Sequence, residues 1–139
     1  MENENLKAHY FVGDGLDVAL ENNFFDSVLD NVCIYANHIE EIKKMYKRVY
    51  DFLKVGGKLI TVCFGKETLG YGSGKEIEKD TFTDITYGML KDRGIAHFFD
   101  EESIKQILIE SGFKNIIIDR ILYTDRGMKV EQYVAQADK

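Results

Sequence analysis

Several features that would define a class of protein are scarce or missing in this sequence. None of its 139 residues is proline or tryptophan, although that absence alone identifies no function. No apolar segment approaches the length of about 18 residues that a membrane span needs, and residues 1–5 lack the basic start and apolar centre of a signal peptide. We therefore expect a cytoplasmic protein that does not cross a membrane.

Basic residues are fewer than acidic residues in this chain. The chain has 18 lysines and arginines against 24 aspartates and glutamates, which gives a net charge of −6. Surfaces that follow nucleic-acid phosphates are usually basic, so the composition argues against a nucleic-acid-binding protein. The basic residues between 43 and 48 are then best interpreted as one solvated face of a helix.

Cysteine is rare as well. The two cysteines, Cys33 and Cys63, lie within apolar segments, where a free thiol packs as a small hydrophobic group. They do not form spaced metal-ligand pairs with His9, His38 or His97. The sequence therefore predicts no metal site.

The apolar segments that are present predict an α/β domain. Residues 25–35 are nearly continuously apolar, which is typical of a strand buried on both faces of a parallel sheet. Apolar residues then recur at helical spacing from Ile39 to Leu53, and a second apolar strand follows at residues 58–64. Strand, helix and strand joined by short links predict a right-handed parallel crossover.

The remaining segments flank this unit. Residues 8–12 are a predicted short strand that ends at a glycine-aspartate-glycine turn, and residues 65–95 are weakly patterned, as functional or mobile segments often are. Asp100 is the predicted N-cap of a second helix. Residues 114–123 and 129–135 should then pair as an antiparallel hairpin.

This order of motifs resembles the C-terminal half of class I S-adenosylmethionine-dependent methyltransferases. The resemblance rests on "FFDSVLDN", a helix, "LKVGGKLITV", a variable segment, "HFFDEESIKQILIESGF" and a terminal hairpin, and it covers nearly the whole chain. It implies an α/β fold with a truncated Rossmann-like methyltransferase sheet, mostly parallel and ending in an antiparallel hairpin. Residues 1–139 would form one partial domain, with residues 65–95 as a variable segment on the substrate side.

The resemblance also implies a cofactor, S-adenosylmethionine, and positions that would bind it. By position in the family, the adenine side would be formed by Asp14, Gly15 and Leu16, and the methionine side by Asp30, Asn31 and Val32. Two simpler roles remain open. Asp14 is equally suited to a plain turn, and Asn31 to satisfying backbone groups at a strand end.

No catalytic residue is assigned by the sequence. Methyl transfer from a sulfonium is an in-line displacement, which needs alignment of donor and acceptor more than an acid-base pair. His38 and His97 are weak candidates for the side of the site that holds a small-molecule substrate. His38 also stands where a helix begins, which favours a structural or solvated role.

The large departure from the family lies before Asp14, where no glycine-rich loop or ribose-binding acid is found. The resemblance therefore implies a methyltransferase that lacks its first two β-α units and is inactive alone. In the family, the strand at residues 25–35 would be flanked by the missing first strand. We expect its exposed edge to be covered by residues 8–12, by a second copy in a homodimer, or by a complementing N-terminal half. The alternative is a non-catalytic interaction module that self-associates through this edge.

Overall fold

A computed structural model describes residues 7–139. The order of elements is β1 (Phe25–Asn31), α1 (Ile39–Phe52), β2 (Leu53–Phe64), β3 (Lys75–Glu78), β4 (Thr81–Thr83), β5 (Ala96–His97), α2 (Glu101–Glu110), β6 (Lys114–Asp125) and β7 (Met128–Asp138). Within this part of the chain, neither helix has the length and apolar character needed to cross a membrane.

The main sheet has the strand order β1-β2-β7-β6. β1 pairs with β2 in parallel, while β7 is antiparallel to both of its neighbours. The predicted Rossmann-like α/β sheet and its terminal hairpin are therefore confirmed. The description "mostly parallel" fits only loosely: three of the four strands point the same way, but β7 inserts between β2 and β6 and leaves one parallel pair.

The two helices cover one face of this sheet. α1 presents apolar residues at intervals of three and four along its length, so they form a single stripe that packs on the sheet. The resulting core joins both helices to β2 and β7 through Ile42, Tyr46, Leu59, Cys63, Ile104, Leu108, Tyr133 and Ala135. This face fixes the positions of the loops that follow β1 and β2.

The opposite face is largely open, which corrects the prediction that β1 is buried on both faces. Leu29, Ile60 and Ile117 are 68%, 39% and 60% exposed. They lie in one row across the sheet, because Leu29 pairs with Ile60 and both Ile60 and Ile117 pair with Gln136. β1 also ends at Asn31, earlier than the predicted Tyr35. An apolar strand residue is thus no proof that another element covers it.

Residues 65–97, here called the cap, close one end of the open face. The short strands β3, β4 and β5 form a second, antiparallel sheet. Phe82 and Ile85 of the cap pack with Phe98 on Phe64 at the end of β2 and on Val130 of β7. The strands of the cap are too short for an alternating pattern to be recognised in the sequence.

The segment that precedes β1 contains no helix or strand over residues 7–24. The predicted strand at residues 8–12 is therefore wrong, and Tyr10, Phe11 and Val12 are exposed. The only strand that pairs with β1 in the described chain is β2, so residues 8–12 do not cover its edge. A strand needs a neighbour to satisfy its backbone, and residues 8–12 pair with none of the described strands.

Candidate functional site

A strained turn stands at the carboxyl end of β1. Val32 has a φ of 49°, a left-handed conformation that is a genuine outlier for a β-branched residue. Its amide donates to the carbonyl of Val62 on β2 at 3.1 Å, and the preceding Asn31 is exposed. Backbone strain of this kind clusters at functional sites, and ligands of open α/β sheets bind at the carboxyl ends of the strands. The turn is therefore where a ligand site is expected.

Asp30 holds this turn in place. Its Oδ1 accepts hydrogen bonds from the amides of Cys33 and Ile34 at 3.0 and 3.2 Å, and its Oδ2 accepts one from the Thr61 hydroxyl at 2.6 Å. The Tyr46 hydroxyl lies 2.8 Å from the same Thr61 oxygen. Burial, reinforced by nearby acidic groups, holds the pKa of Tyr46 well above its usual value, so this hydroxyl keeps its proton. The predicted contact of Asp30 with a cofactor stays a prediction.

The loop around Asp14 is built as a turn. The Asp14 Oδ1 accepts from the amide of Leu16 at 2.8 Å, and the Asp14 carbonyl accepts from the amides of Asp17 and Val18. Arg48 of α1 donates to the carbonyls of Leu16 and Val18 and ties the loop to the helix. Arg48 is thus not simply solvated, and Asp14 has the geometry of a turn aspartate.

The two groups of predicted cofactor residues do not share one cavity. Gly15 lines an apolar cavity of about 370 Å³ together with Ser27 and Val28 of β1 and Met45 of α1. Residues 30–32 lie further along β1 and are not part of its lining. The described chain therefore presents the Asp14 loop and the strained turn as separate pieces of surface.

The two candidate histidines differ sharply in environment. His38 is exposed just before α1, and its Nδ1 lies 3.5 Å from the Glu78 carboxylate, which also accepts from the amide of Ile39 at 2.7 Å. His97 is buried, with its Nδ1 2.7 Å from the Thr81 hydroxyl oxygen. Burial lowers the pKa of His97, although nearby carboxylates oppose that shift. His97 is therefore neutral near pH 7, as a hydrogen-bond acceptor or base must be.

Sequence reasoning missed a charged cluster next to His97. The Lys66 ammonium lies 2.8 Å from the carboxylates of both Asp80 and Asp100, and the Tyr71 hydroxyl donates to Asp80 at 2.7 Å. The hydrogen bond from Lys66 lowers the pKa of Asp100; burial acts to raise that of Asp80, but Lys66 and Tyr71 lower it overall. These residues are far apart in a weakly patterned region, and only the prediction of Asp100 as a helix cap pointed toward the cluster.

A cavity of about 550 Å³ joins these groups. It lies between the start of α1, the length of α2 and the cap, and its lining includes Ile39, Lys79, Asp80, His97, Asp100 and Ser103. Of the two predicted histidines, the cavity takes in His97 and not His38. Its position at the carboxyl ends of β1 and β2 makes it the candidate substrate-side pocket of this fold.

Comparison with solved structures identifies the class of fold. A SAM-dependent methyltransferase from Methanosarcina mazei matches 96% of this chain and 68% of its own chain, with a TM-score of 0.74 and 23% identity. Phosphoethanolamine N-methyltransferase 2 from Haemonchus contortus, solved with phosphomonomethylethanolamine and S-adenosylhomocysteine, matches 91% of this chain and 36% of its own, with a TM-score of 0.62 and 18% identity. The fold is that of the SAM-dependent methyltransferases.

A curated relative adds similarity in sequence. Phosphoethanolamine N-methyltransferase 2 from Caenorhabditis elegans is 28% identical to this chain over 121 residues, which are 85% of this chain and 26% of that protein. No family model matches the chain. The resemblance to class I S-adenosylmethionine-dependent methyltransferases is thereby confirmed. The activity of the relative belongs to a protein much longer than this one, since the chain spans only 26% of it.

Proposed function

We propose that this chain is part of a methyltransferase that transfers a methyl group from S-adenosylmethionine to a nitrogen atom of a small molecule. The observation that carries the proposal is the parallel β1-α1-β2 unit with its strained turn at Val32, set in a methyltransferase fold. The choice of nitrogen as acceptor is supported by the similarity to proteins named as phosphoethanolamine N-methyltransferases.

In this proposal the exposed turn contacts the methyl donor. Asn31 and Val32 face the methionine moiety, and Asp30 acts through the turn that its carboxylate holds. Asp14, Gly15 and Leu16 form the loop next to the adenine. The protein's contribution to the reaction is alignment of donor and acceptor and exclusion of water, because the sulfonium already activates the methyl carbon.

The proposed cofactor site is incomplete within this chain. A glycine-rich loop can approach a nucleotide closely because its residues lack Cβ, and no such loop occurs in the residues before Asp14. We propose that a separate segment, in the same or another polypeptide, supplies this loop. Without it, the described residues are not competent for methyl transfer.

Nuclear magnetic resonance tests the proposed cofactor site directly. S-adenosylhomocysteine should shift the amide signals of residues 31–33, with a dissociation constant of about 1 mM for this chain alone. Asn31→Ala should weaken this binding, while Asn22→Ala, a change at an exposed asparagine that precedes the opposite end of β1, should not. Unchanged signals at residues 31–33, also after addition of a segment with the glycine-rich loop, would contradict the proposal. Binding near 1 µM by the chain alone would contradict its incompleteness.

A second candidate function is that of a non-catalytic interaction module. It is favoured by the exposed row of Leu29, Ile60 and Ile117 and by the free edge of β1, which suit self-association as a homodimer or docking of a complementing half. Self-association without any affinity for S-adenosylhomocysteine would support this function over the first.

A further inference from the structure

His97 presents one ring nitrogen that the protein itself does not use. The side chain is 5% exposed, and its Nδ1 lies 2.7 Å from the Thr81 hydroxyl oxygen. Among the described residues, no hydrogen bond involves its other nitrogen, Nε2. His97 is also part of the lining of the 550 Å³ cavity between α1, α2 and the cap. A buried ring with one free nitrogen beside a cavity is suited to recognising a ligand.

The neighbours of His97 set what this nitrogen can do. The Thr81 hydroxyl lies 3.2 Å from the Glu78 carboxylate, which can only accept a hydrogen bond when ionised. A hydroxyl hydrogen directed at Glu78 leaves the Thr81 oxygen free to accept from the Nδ1–H of His97. In this tautomer Nε2 carries a lone pair and is an acceptor. Burial, which lowers the pKa of His97, keeps the ring neutral near pH 7.

The charged side chains around the cavity indicate which charge a ligand should carry. Its lining carries four carboxylates and two ammonium groups, those of Asp80, Asp100, Glu102, Glu110, Lys43 and Lys79. Lys66, between Asp80 and Asp100, adds a third ammonium group. Carboxylates still outnumber ammonium groups, so the local field favours a cation over an anion.

We propose that this cavity binds a small organic amine in its ammonium form, with an N–H of the ligand donating to Nε2 of His97. Lys66 bridges the carboxylates of Asp80 and Asp100, so the excess negative charge that favours the ligand's ammonium group comes from the four lining carboxylates together, those of Glu102 and Glu110 included. The inference rests on the proposed function and deepens it, because it gives the methyl acceptor a location and a mode of recognition.

Titration of the full chain with simple cations tests the site without any cofactor. Ethylammonium should shift the ring resonances of His97 with a dissociation constant of about 1 mM. Tetramethylammonium, which has no N–H, should bind at least about 10-fold more weakly, because one hydrogen bond to a charged group is worth that factor or more. Equal binding of both cations, preference for inorganic phosphate, or no shift of the His97 ring would overturn the inference.

Matched variants locate the binding. His97→Phe should weaken ethylammonium binding at least about 10-fold, while His9→Phe, at an exposed histidine outside the cavity, should leave it unchanged. If His97→Phe does not fold, Thr81→Val serves instead, since it removes only the oxygen that orients the ring and should also weaken binding. Unchanged affinity in the folded variant would refute the site. The cofactor proposal is tested separately, by the amide signals of residues 31–33 with S-adenosylhomocysteine. Failure of the amine site can therefore be distinguished from failure of the cofactor site.

Discussion

Asp30 illustrates how a predicted ligand-binding residue can instead shape the binding surface. Its carboxylate makes three hydrogen bonds, two to turn amides and one to Thr61, and all remain inside the fold. Val32, two residues later, adopts a strained left-handed backbone conformation that the shape of the turn requires. The network and the strain oppose each other, so the turn persists only while Asp30 is present.

Replacing Asp30 should therefore destabilise the protein strongly. Asp30→Ala leaves the amides of Cys33 and Ile34 without partners, and we expect the free energy of unfolding to fall by about 3 kcal/mol in urea denaturation. Asp26→Ala on the same strand removes only an exposed ion pair with Lys54 and should leave the unfolding midpoint unchanged. Equal midpoints for the two variants would show that the network does not hold the turn.

His97 should make stability depend on pH near neutrality. Burial lowers its pKa below the ordinary value of 6.5 despite the opposing charges of Asp80 and Glu78, so the unfolded chain binds the proton more readily than the folded one. Stability is then lost as the pH falls through 6.5 toward the lower pKa of the folded state. Denaturation of His97→Gln across this pH range should give a flatter profile than the natural chain. Parallel profiles for the natural chain and His97→Gln would contradict the assignment.

At the scale of elements, Lys66 connects three parts of the chain. It follows β2, and it bridges Asp80 between β3 and β4 to Asp100 at the start of α2. Burial acts to lower the pKa of Lys66, but its hydrogen bonds to Asp100 and Asp80 raise it overall, so the ammonium stays charged. Ionic contacts thus fasten the cap to the start of α2, and its apolar cluster packs it on the sheet.

Removing this contact should loosen the cap and little else. In Lys66→Ala, we expect hydrogen exchange of the β3 and β4 amides to accelerate by about 10-fold, with β1 and β2 amides unchanged. Lys54→Ala removes an exposed ion pair of the same chemistry and is the control. Acceleration spread evenly over the sheet, or none at all, would show that Lys66 does not fasten the cap.

The sequence predicts the helices and strands themselves better than it predicts which strands pair and which side chains are covered. The helical spacing from Ile39 and the cap at Asp100 identified both helices, and the turn at Arg126 and Gly127 identified the hairpin. The insertion of β7 between β2 and β6 could not be derived, because local pattern does not encode which strands pair at long range. In the same way, Leu29 was predicted as buried since an apolar residue carries no information about what covers it.

The candidate site was predictable only in part. Position within a known family indicated Asp30, Asn31 and Val32, and the place before the last helix made His97 a weak candidate. Neither indicated the direction in which each side chain points. The Lys66 cluster depends on contacts between residues of the cap and the N-cap of α2, which no spacing rule relates. Sequence thus indicated the edge of the sheet where we propose the site, and the tertiary contacts show which polar groups there already have partners within the fold.

For the whole molecule, the uncovered sheet is the dominant feature. The amide of Val32 points toward β2, and since amides alternate along a strand, those of Ser27, Leu29 and Asn31 point away from it. Within residues 7–139 no strand pairs with these amides, and unpaired amides beside exposed apolar side chains are the kind of edge that can recruit another strand. A second copy that pairs its own β1 antiparallel to this edge would extend the sheet across a two-fold axis.

Leu29→Lys tests this assembly. Two lysines near the two-fold axis would repel each other, so we expect the natural chain to elute as a dimer in light-scattering chromatography and the variant to dissociate at least about 10-fold more readily. Ile109→Lys, an equally drastic change at an exposed residue of α2, should leave the dimer intact because it lies away from the edge. If the natural chain is monomeric at all concentrations and amides 27, 29 and 31 exchange rapidly with solvent, β1 does not pair with a second copy. A different polypeptide would then be the candidate partner for this edge.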